Sequence, residues 1–259
     1  MSDSIRPISD GVTPPTYDGL DAAALARHIG VPMVELFNEV GSTLDIAHAR
    51  AADGAPAGTF VLADAQTAGR GRQGRNWVSE SGAGIWLTLI ERPTDAAAVD
   101  VLSLRVGLHG AHALDRFTPQ PIGLKWPNDL YLGDRKLAGI LIEARWRERR
   151  LDWIAIGFGL NVRAPVGITD VAALGGATSR VGVLAHLVPE LRAAAAETGP
   201  LRPDELADYA RRDIARGRRC RQPMSGTVAG IDATGALLID TDAGARQARA
   251  GSLVLLEEA

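Results

Sequence analysis

The sequence predicts an α+β fold, a central mixed or antiparallel sheet with flanking helices, followed by a small C-terminal β-barrel. Three observations predict it. Short apolar runs separated by two- or three-residue turns crowd residues 122–161, as antiparallel hairpins require. Long stretches with helical apolar spacing flank that block, at 99–117 and 179–215. After Cys220 the pattern changes to short β-like runs punctuated by Asp232-Ala-Thr-Gly235 and Asp242-Ala-Gly244. The expected division is a mobile tail with a short helix over 1–35, a main domain over 36–220 and the small barrel over 221–259.

Residues 1–18 contain Pro7, Pro14 and Pro15 and lack periodicity, so they read as a mobile tail. Leu20 to Ile29 suits a short helix stopped by Gly30 and Pro32. A second helix runs to Ala52, with Ser42 or Thr43 as N-cap and Asp45 in its first turn. Phe60–Ala63 reads as a buried strand, Gly69–Gly84 as a loop and Gly84–Ile90 as a strand. Val99–Phe117 is an amphipathic helix. Ile122–Trp126, Leu130–Leu132, Leu137–Ala144 and Leu151–Ile156 are strands, the last running into Gly157-Phe-Gly-Leu-Asn161. The arginine-rich stretch Arg145–Arg150 reads as an exposed hairpin end. Ser179–Glu197 and Pro203–Ala215 are helices. Gly226–Val228, Ala236–Asp240 and Gly251–Leu256 are the strands of the small barrel.

The 259 residues carry a net charge of -3, a poor basis for binding nucleic acid through bulk charge. No apolar run approaches the ~18 residues of a membrane span, and no secretory signal is visible. With Cys220 as the single cysteine, no internal disulfide forms and a reducing, intracellular setting is expected. The five histidines show no metal-ligand spacing. Cys220 lies among Arg216, Arg218, Arg219 and Arg221, which reads as a solvated junction before the barrel or as a thiol with depressed pKa.

Of the 28 basic residues only two are lysine, Lys125 and Lys136; the other 26 are arginine. Arginine-rich codon usage accounts for the scarcity but not for where the two lysines stand. A compact ammonium and a planar guanidinium are not interchangeable, so the two positions attract attention. Lys125-Trp-Pro-Asn-Asp129 brings a cation, an amide and a carboxylate to a strand end, and Lys136 opens the next long strand. Residues flanking a hairpin turn are close, so Lys125, Asp129 and Lys136 are expected to converge. Asn128 and Asp129 offer hard oxygens suited to Mg²⁺ on phosphates.

Gly69-Arg-Gly-Arg-Gln-Gly-Arg75 formally matches a dinucleotide fingerprint, but the glycines and serines after it do not start a helix. No Gly-Lys-Ser/Thr follows, which removes a phosphate-binding P-loop. Glycine hinges with Arg70, Arg72 and Arg75 fit either a lid over an anion or a solvated surface loop. A lid, two ammonium groups and a Mg²⁺ carboxylate together suit adenylation of a small acid, where cations offset the repulsion between carboxylate and phosphate.

Five segments then resemble the biotin protein ligase family in order and spacing: Gly41-Ser-Thr43, Gln66 to Trp77, Leu124 to Leu130, Lys136 to Glu143 and Gly157 to Val162. The resemblance implies a class II synthetase-like catalytic domain and an SH3-like barrel. It implies biotinyl-5′-adenylate formation from biotin and MgATP, followed by transfer to a lysine of a biotin carboxyl carrier protein or domain of acetyl-CoA carboxylase or a related carboxylase. By motif position it puts Lys136 and Arg72 in catalytic roles. Ser42, Thr43, Leu44, Gln66, Arg70, Gly71, Arg72, Lys136, Gly139, Gly157 and Gly159 would bind biotin. Arg72, Arg75, Trp77, Lys125, Asn128, Lys136 and Asn161 would bind ATP, and Asp129 with Asn161 would hold Mg²⁺. Adenine is expected on aliphatic residues or on Trp77. About 35 residues precede the first motif, so no DNA-binding domain, no DNA partner and no membrane association are expected, in a cytoplasmic enzyme. Family members dimerise through the central sheet or stay monomeric, and both options stay open. Two other readings are a lipoate or octanoate ligase or transferase, and a non-catalytic biotin sensor.

Overall fold

Alternation in the seventh strand organises the molecule. In the computed structural model, which describes residues 14–256, β7 (Arg150–Asn161) sends Ile154, Ile156, Phe158 and Leu160 into the main core. The residues between them, Ala155, Gly157 and Gly159, and Asn161 at the end, face the other way. Successive side chains on a strand point to opposite faces, so one face is built for packing and the other is nearly bare. β6 (Arg135–Arg147) repeats the pattern, with Ala138, Ile140 and Ile142 packed in the core and Gly139 and Leu141 opposite.

The elements in order are β1 (Met33–Val40) after α1 (Ala22–Ile29), then α2 (Thr43–Ala52), β2 (Thr59–Gln66), β3 (Gly84–Glu91) and α3 (Val99–Asp115). β4 (Gly123–Lys125), β5 (Asp129–Leu132), β6 and β7 follow, then α4 (Arg180–Ala196) and α5 (Pro203–Arg212). The seven strands form one sheet in the order β1-β2-β3-β7-β6-β5-β4. Only β1 and β2 are parallel, joined through α2; the other pairs are antiparallel. Leu25, Leu102, Leu184 and Leu187 of α1, α3 and α4 share a core with Phe60, Leu62, Leu87 and Leu89. Val61, Ile90 and Trp153, on the opposite face, pack instead on Ala47 and Ala51 of α2.

β8 (Arg219–Gln222), β9 (Gly226–Ile231), β10 (Leu237–Thr241), β11 (Gly244–Ala248) and β12 (Val254–Leu255) form a second, antiparallel sheet, ordered β11-β10-β9-β8-β12. It is tied to the rest of the chain by Trp126, after β4, whose buried indole Nε1 donates to Gly235 O at 3.0 Å, and by the α4–α5 connection through Leu201 N to Ala233 O at 2.8 Å.

Several expectations need correction. The tail reading over residues 1–13 lies outside the described residues, but from Tyr17 onward the chain is held. Tyr17 is buried, donates to Gly84 O at 3.0 Å and lies under Arg180, which also bridges Asp18 and Asp64. β1, β8 and β11 were not anticipated. In β1 only Val34 and Leu36 are fully buried, a short signal in an edge strand. β1 spans the expected division after residue 35, and β8 the one after residue 220. Cys220 is neither solvated nor acidified: it is buried, its Sγ reaches Met224 O at 3.4 Å, and burial pushes the thiol pKa up. His109 and His112 pair with carboxylates distant in sequence, Glu190 at 2.7 Å and Asp208 at 2.6 Å.

Three carboxylates paired with arginine and at least partly buried have their pKa held below the ordinary value. Burial alone would raise each of them. Arg180 and Ser81 more than offset this at Asp64, Arg212 at Asp115, and Arg105 at Glu205. A depressed native carboxylate contributes stability above its unfolded pKa, ~4, and that contribution disappears as pH falls through the native value. Urea midpoints are therefore expected to be level near neutrality and to fall below about pH 4. Replacing Asp115 with Asn should flatten part of that acid limb, and an unchanged limb would refute its contribution.

Candidate functional site

The bare face of β6 and β7 is kept open by glycine. A Cβ on Gly159 would stand 2.6 Å from Trp77 Nε1, one on Gly139 2.9 Å from Trp77 Cζ3, and one on Gly157 3.2 Å from Leu44 Cδ1. The indole of Trp77 and the start of α2 thus lie directly on strand backbone. Between them is a cavity of about 270 Å³.

At one end the lining is polar and organised. Ser42 occupies the N-cap position of α2 with extended backbone, as the sequence predicts, yet its side chain makes no capping bond. Its Oγ is buried and unpartnered, and so is Trp77 Nε1. An orphaned buried polar atom costs roughly 1–3 kcal/mol, a cost that a hydrogen-bonding ligand removes. Thr43 donates through N and Oγ1 to Gln66 Oε1 at 2.9 and 3.1 Å, and Gln66 Nε2 donates to Ser79 Oγ at 2.8 Å. Thr88 Oγ1 donates to Thr43 Oγ1 at 2.9 Å from beneath. The amide of Gln66 is therefore fixed with its oxygen toward α2.

The glycine–arginine loop covers the cavity. It folds back on itself through the Arg70–Asn76 bridge and Gly71 N to Arg75 O at 2.7 Å, with a 3-10 turn at Arg72–Gly74. Gly69 permits this, since a Cβ there would meet Trp77 O at 2.3 Å. Arg72 Nη1 donates to Asn128 Oδ1 at 3.3 Å, and Asn128 Nδ2 donates to Ile140 O at 2.7 Å. Burial lowers the pKa of Arg72, with Asp129 opposing. At the tip, Ser252 Oγ donates to Gln73 Oε1 at 2.9 Å, so the loop also touches the C-terminal segment.

The opposite end carries the cations. Register pairs Lys125 with Asp129 and Tyr131 with Lys136. Lys136 Nζ lies 2.7 Å from Asp129 Oδ1 and 5.1 Å from the centre of the Trp77 ring. Burial pushes the Lys125 ammonium down while Asp129 pulls it up; Lys125 sits 5.6 Å from the Tyr131 ring centre. The expected convergence of Lys125, Asp129 and Lys136 is therefore present.

Ser42, Thr43, Leu44, Gln66, Arg70, Gly71, Arg72, Arg75, Trp77, Asn128, Lys136, Gly139, Gly157, Gly159 and Asn161 all line the one cavity. Lys125 and Asp129 do not. They line a second opening of about 680 Å³ between the β4–β5 edge and the C-terminal segment, into which Arg75, Asn128 and Lys136 also face. Asp129 and Asn161 share a sheet face but are separated by β6, and Asn161 Nδ2 is committed to Ala172 O at 3.1 Å. Among the described residues no cluster of three or more His, Cys, Asp or Glu side chains is suited to hold a metal. The donor set fits an ion that arrives on phosphates, not one caged by protein.

Sequence reasoning did not single out Trp86, Pro165, Ile168 or Val171, which also line the cavity. Trp86 reads as ordinary strand core, and the Pro165–Val171 stretch has no period. Aliphatic side chains do therefore border the Asn161 end, as well as Trp77. Leu141 is a cavity wall, whereas Trp126 is core that borders the second opening. The whole suits an elongated ligand with a hydrogen-bonding head against Ser42, Thr43 and Gln66 and an anionic tail near Lys136 and Arg72.

Comparison with known proteins agrees with this geometry. Residues 41–161 match the model of the biotin/lipoate A/B protein ligase family, and residues 217–255 match that of the biotin protein ligase C terminal domain. The chain is 32% identical over 247 residues to the bifunctional ligase/repressor BirA of Bacillus subtilis, covering 88% of this chain and 74% of that protein. It is 34% identical over 245 residues to the biotin--[acetyl-CoA-carboxylase] ligase of Mycobacterium tuberculosis, covering 88% and 90%. Among solved structures, the Aquifex aeolicus biotin protein ligase in complex with biotin and ATP superposes with a TM-score of 0.68 at 25% identity, covering 87% of this chain and 99% of that one. A point mutant of that ligase in complex with biotin gives 0.73 at 26% identity, covering 87% and 98%.

Proposed function

Because the chain belongs to the biotin/lipoate A/B protein ligase family, we propose that it is an ATP-dependent biotin protein ligase acting on the carrier domain of a carboxylase. The observation that carries this reading is one continuous cavity with the Ser42–Thr43–Gln66 hydrogen-bonding end and the Lys136–Arg72 cationic end. The ureido ring of biotin presents two N–H donors and a carbonyl acceptor, which the orphaned Ser42 Oγ and the oriented Gln66 complement. Leu44, Gly157 and Gly159 accommodate the ring and tail against backbone, beneath Trp77.

The carboxylate oxygen of biotin attacks the α-phosphorus of ATP, and the bond to the pyrophosphate oxygen breaks. Lys136 neutralises the carboxylate and the α-phosphate, which otherwise repel. Arg72, Arg75, Lys125 and Asn128 hold the phosphates, and Trp77 and the aliphatic wall take the adenine. Asp129 and Asn161 would help to hold Mg²⁺ arriving on the nucleotide, and the ion would supply screening of phosphate charge. The amine of the acceptor lysine then attacks the carbonyl of the adenylate and AMP leaves. We assign this chemistry to the seven-stranded sheet with its helices and a supporting role to the C-terminal five-stranded sheet. A carboxylase acceptor suits a cytoplasmic enzyme that works without DNA.

The direct test mixes the protein with biotin, MgATP and an apo-carrier domain and weighs the carrier. A gain of one biotinyl group is expected, and none when lipoate replaces biotin. A lipoyl gain instead would overturn the reading. Arg72 closes the loop through Asn128, so Arg72→Gly is expected to release the adenylate about tenfold to a hundredfold faster, the loss of one charge-assisted contact. Acceptor-independent labelling of bystander proteins checks this, and labelling confined to the carrier would count against the lid.

A further inference from the structure

Glu143 lies on β6 two positions beyond Leu141, in the row of residues that faces the cavity, but does not itself line it. Its carboxylate gathers partners from three elements. His48 Nε2 of α2 lies at 2.7 Å, Arg70 Nη1 of the loop at 3.3 Å and Arg145 Nη2 of β6 at 3.5 Å. Arg70 is gripped from its other side by Asp45 of α2, Nη2 to Oδ1 at 3.0 Å. His48 is oriented in turn: Trp153 Nε1, which only donates, reaches His48 Nδ1 at 3.0 Å. The ring proton therefore sits on Nε2 and points at Glu143. Burial lowers the pKa of His48 and favours this neutral form, while Glu143 opposes the shift and Arg145 and Arg70 support it.

We propose that Glu143, oriented by His48 and assisted by Asp45, is a positioning residue for biotin: it latches Arg70 and so holds the first arm of the glycine–arginine loop in its binding shape. The inference rests on reading the cavity as the biotin site. A segment with Gly69, Gly71 and Gly74 has many conformations to lose when a ligand orders it. Two carboxylates, from α2 and β6, hold Arg70 where it lines the cavity. The latch touches no reacting atom, so it acts on capture of biotin and not on the chemical step. Arg72, in contrast, meets Asn128 at the phosphate end and belongs to that step.

The test measures adenylate formation by pyrophosphate release in Glu143→Gln, Glu143→Ala, Arg70→Ala and the double variant Glu143→Ala/Arg70→Ala. Each Glu143 variant is expected to raise KM for biotin about threefold to tenfold, with kcat and KM for ATP within about twofold of wild type. In the Arg70→Ala background the Glu143→Ala change should add little, since the contact is already gone. A general structural defect would instead lower melting temperature and shift kcat and both KM values together. The latch is overturned if Glu143→Gln leaves KM for biotin unchanged, or if the two alanine effects multiply independently. Failure of the wild-type protein to release pyrophosphate with biotin would strike the proposed function itself, a separate outcome.

Discussion

Lys136→Ala is expected to lower the rate of adenylate formation about a hundredfold to a thousandfold, the usual loss when one preorganised charge-stabilising group leaves a site. The ammonium is held in place by Asp129 at 2.7 Å and by the face of Trp77. It also lines both cavities, as Arg75 does, and as the compact ammonium paired with Asp129 it is placed to face both the tail of an acid and the phosphates of a nucleotide. Its side chain is partly exposed and at the start of β6, so its removal leaves the core intact and the melting temperature within a few degrees. Arg at this position is expected to rescue poorly, because a wide planar fork does not fit between Asp129 and the indole as a compact ammonium does. Pyrophosphate release, measured beside a thermal melt, separates chemistry from folding. Wild-type release from Lys136→Ala would remove this residue from the mechanism.

The largest stability effect is expected from Arg105 of α3. Its side chain is fully buried and meets Glu205 of α5 through Nε to Oε1 at 2.6 Å and Nη2 to Oε2 at 3.1 Å, and it also donates to Pro200 O at 3.0 Å. Glu205 in turn accepts from Arg202 N at 2.8 Å at the start of α5. Arg105→Ala strands a nearly buried carboxylate and the carbonyls of Gly199 and Pro200, at a cost of about 3–5 kcal/mol, typical when one member of a buried pair is removed. Replacing both partners, with Arg105→Met and Glu205→Leu, is expected to recover most of the loss, since neither charge then needs a partner. Urea denaturation of the two variants decides it. A single-variant loss under about 1 kcal/mol would show that water reaches the pair, as in an exposed bridge.

Arg105 shows where sequence reading stops. Within Val99–Phe117 the apolar spacing predicts the helix, and α3 forms there, but an arginine on its inner face is invisible until α5 arrives from a hundred residues away. The same holds for β1, β8 and β11. β8 and β11 hold few apolar residues, and the apolar residues of β1 do not alternate cleanly, so it is the hydrogen-bonding edge of a neighbouring strand that makes them strands. Ser42 gives a subtler case. Its type and position predict a cap, and it does occupy the cap position, but its hydroxyl is left without a partner and faces the cavity wall.

By itself the sequence determined what depends on local chemistry: the hairpins over 122–161, the flanking helices, the glycines spaced two apart on β7 and the two lysines with Asp129 around two successive turns. Such features rest on periods of two or 3.6 residues and on contacts across a few positions, which a linear chain displays. Only the tertiary structure decided which face of β6 and β7 was bare, that Lys125 and Asp129 border a separate opening, and that Glu143, His48 and Asp45 converge on Arg70. Those contacts join residues far apart in sequence, and no local preference encodes them, because they arise only when the sheet closes and its two faces acquire different neighbours.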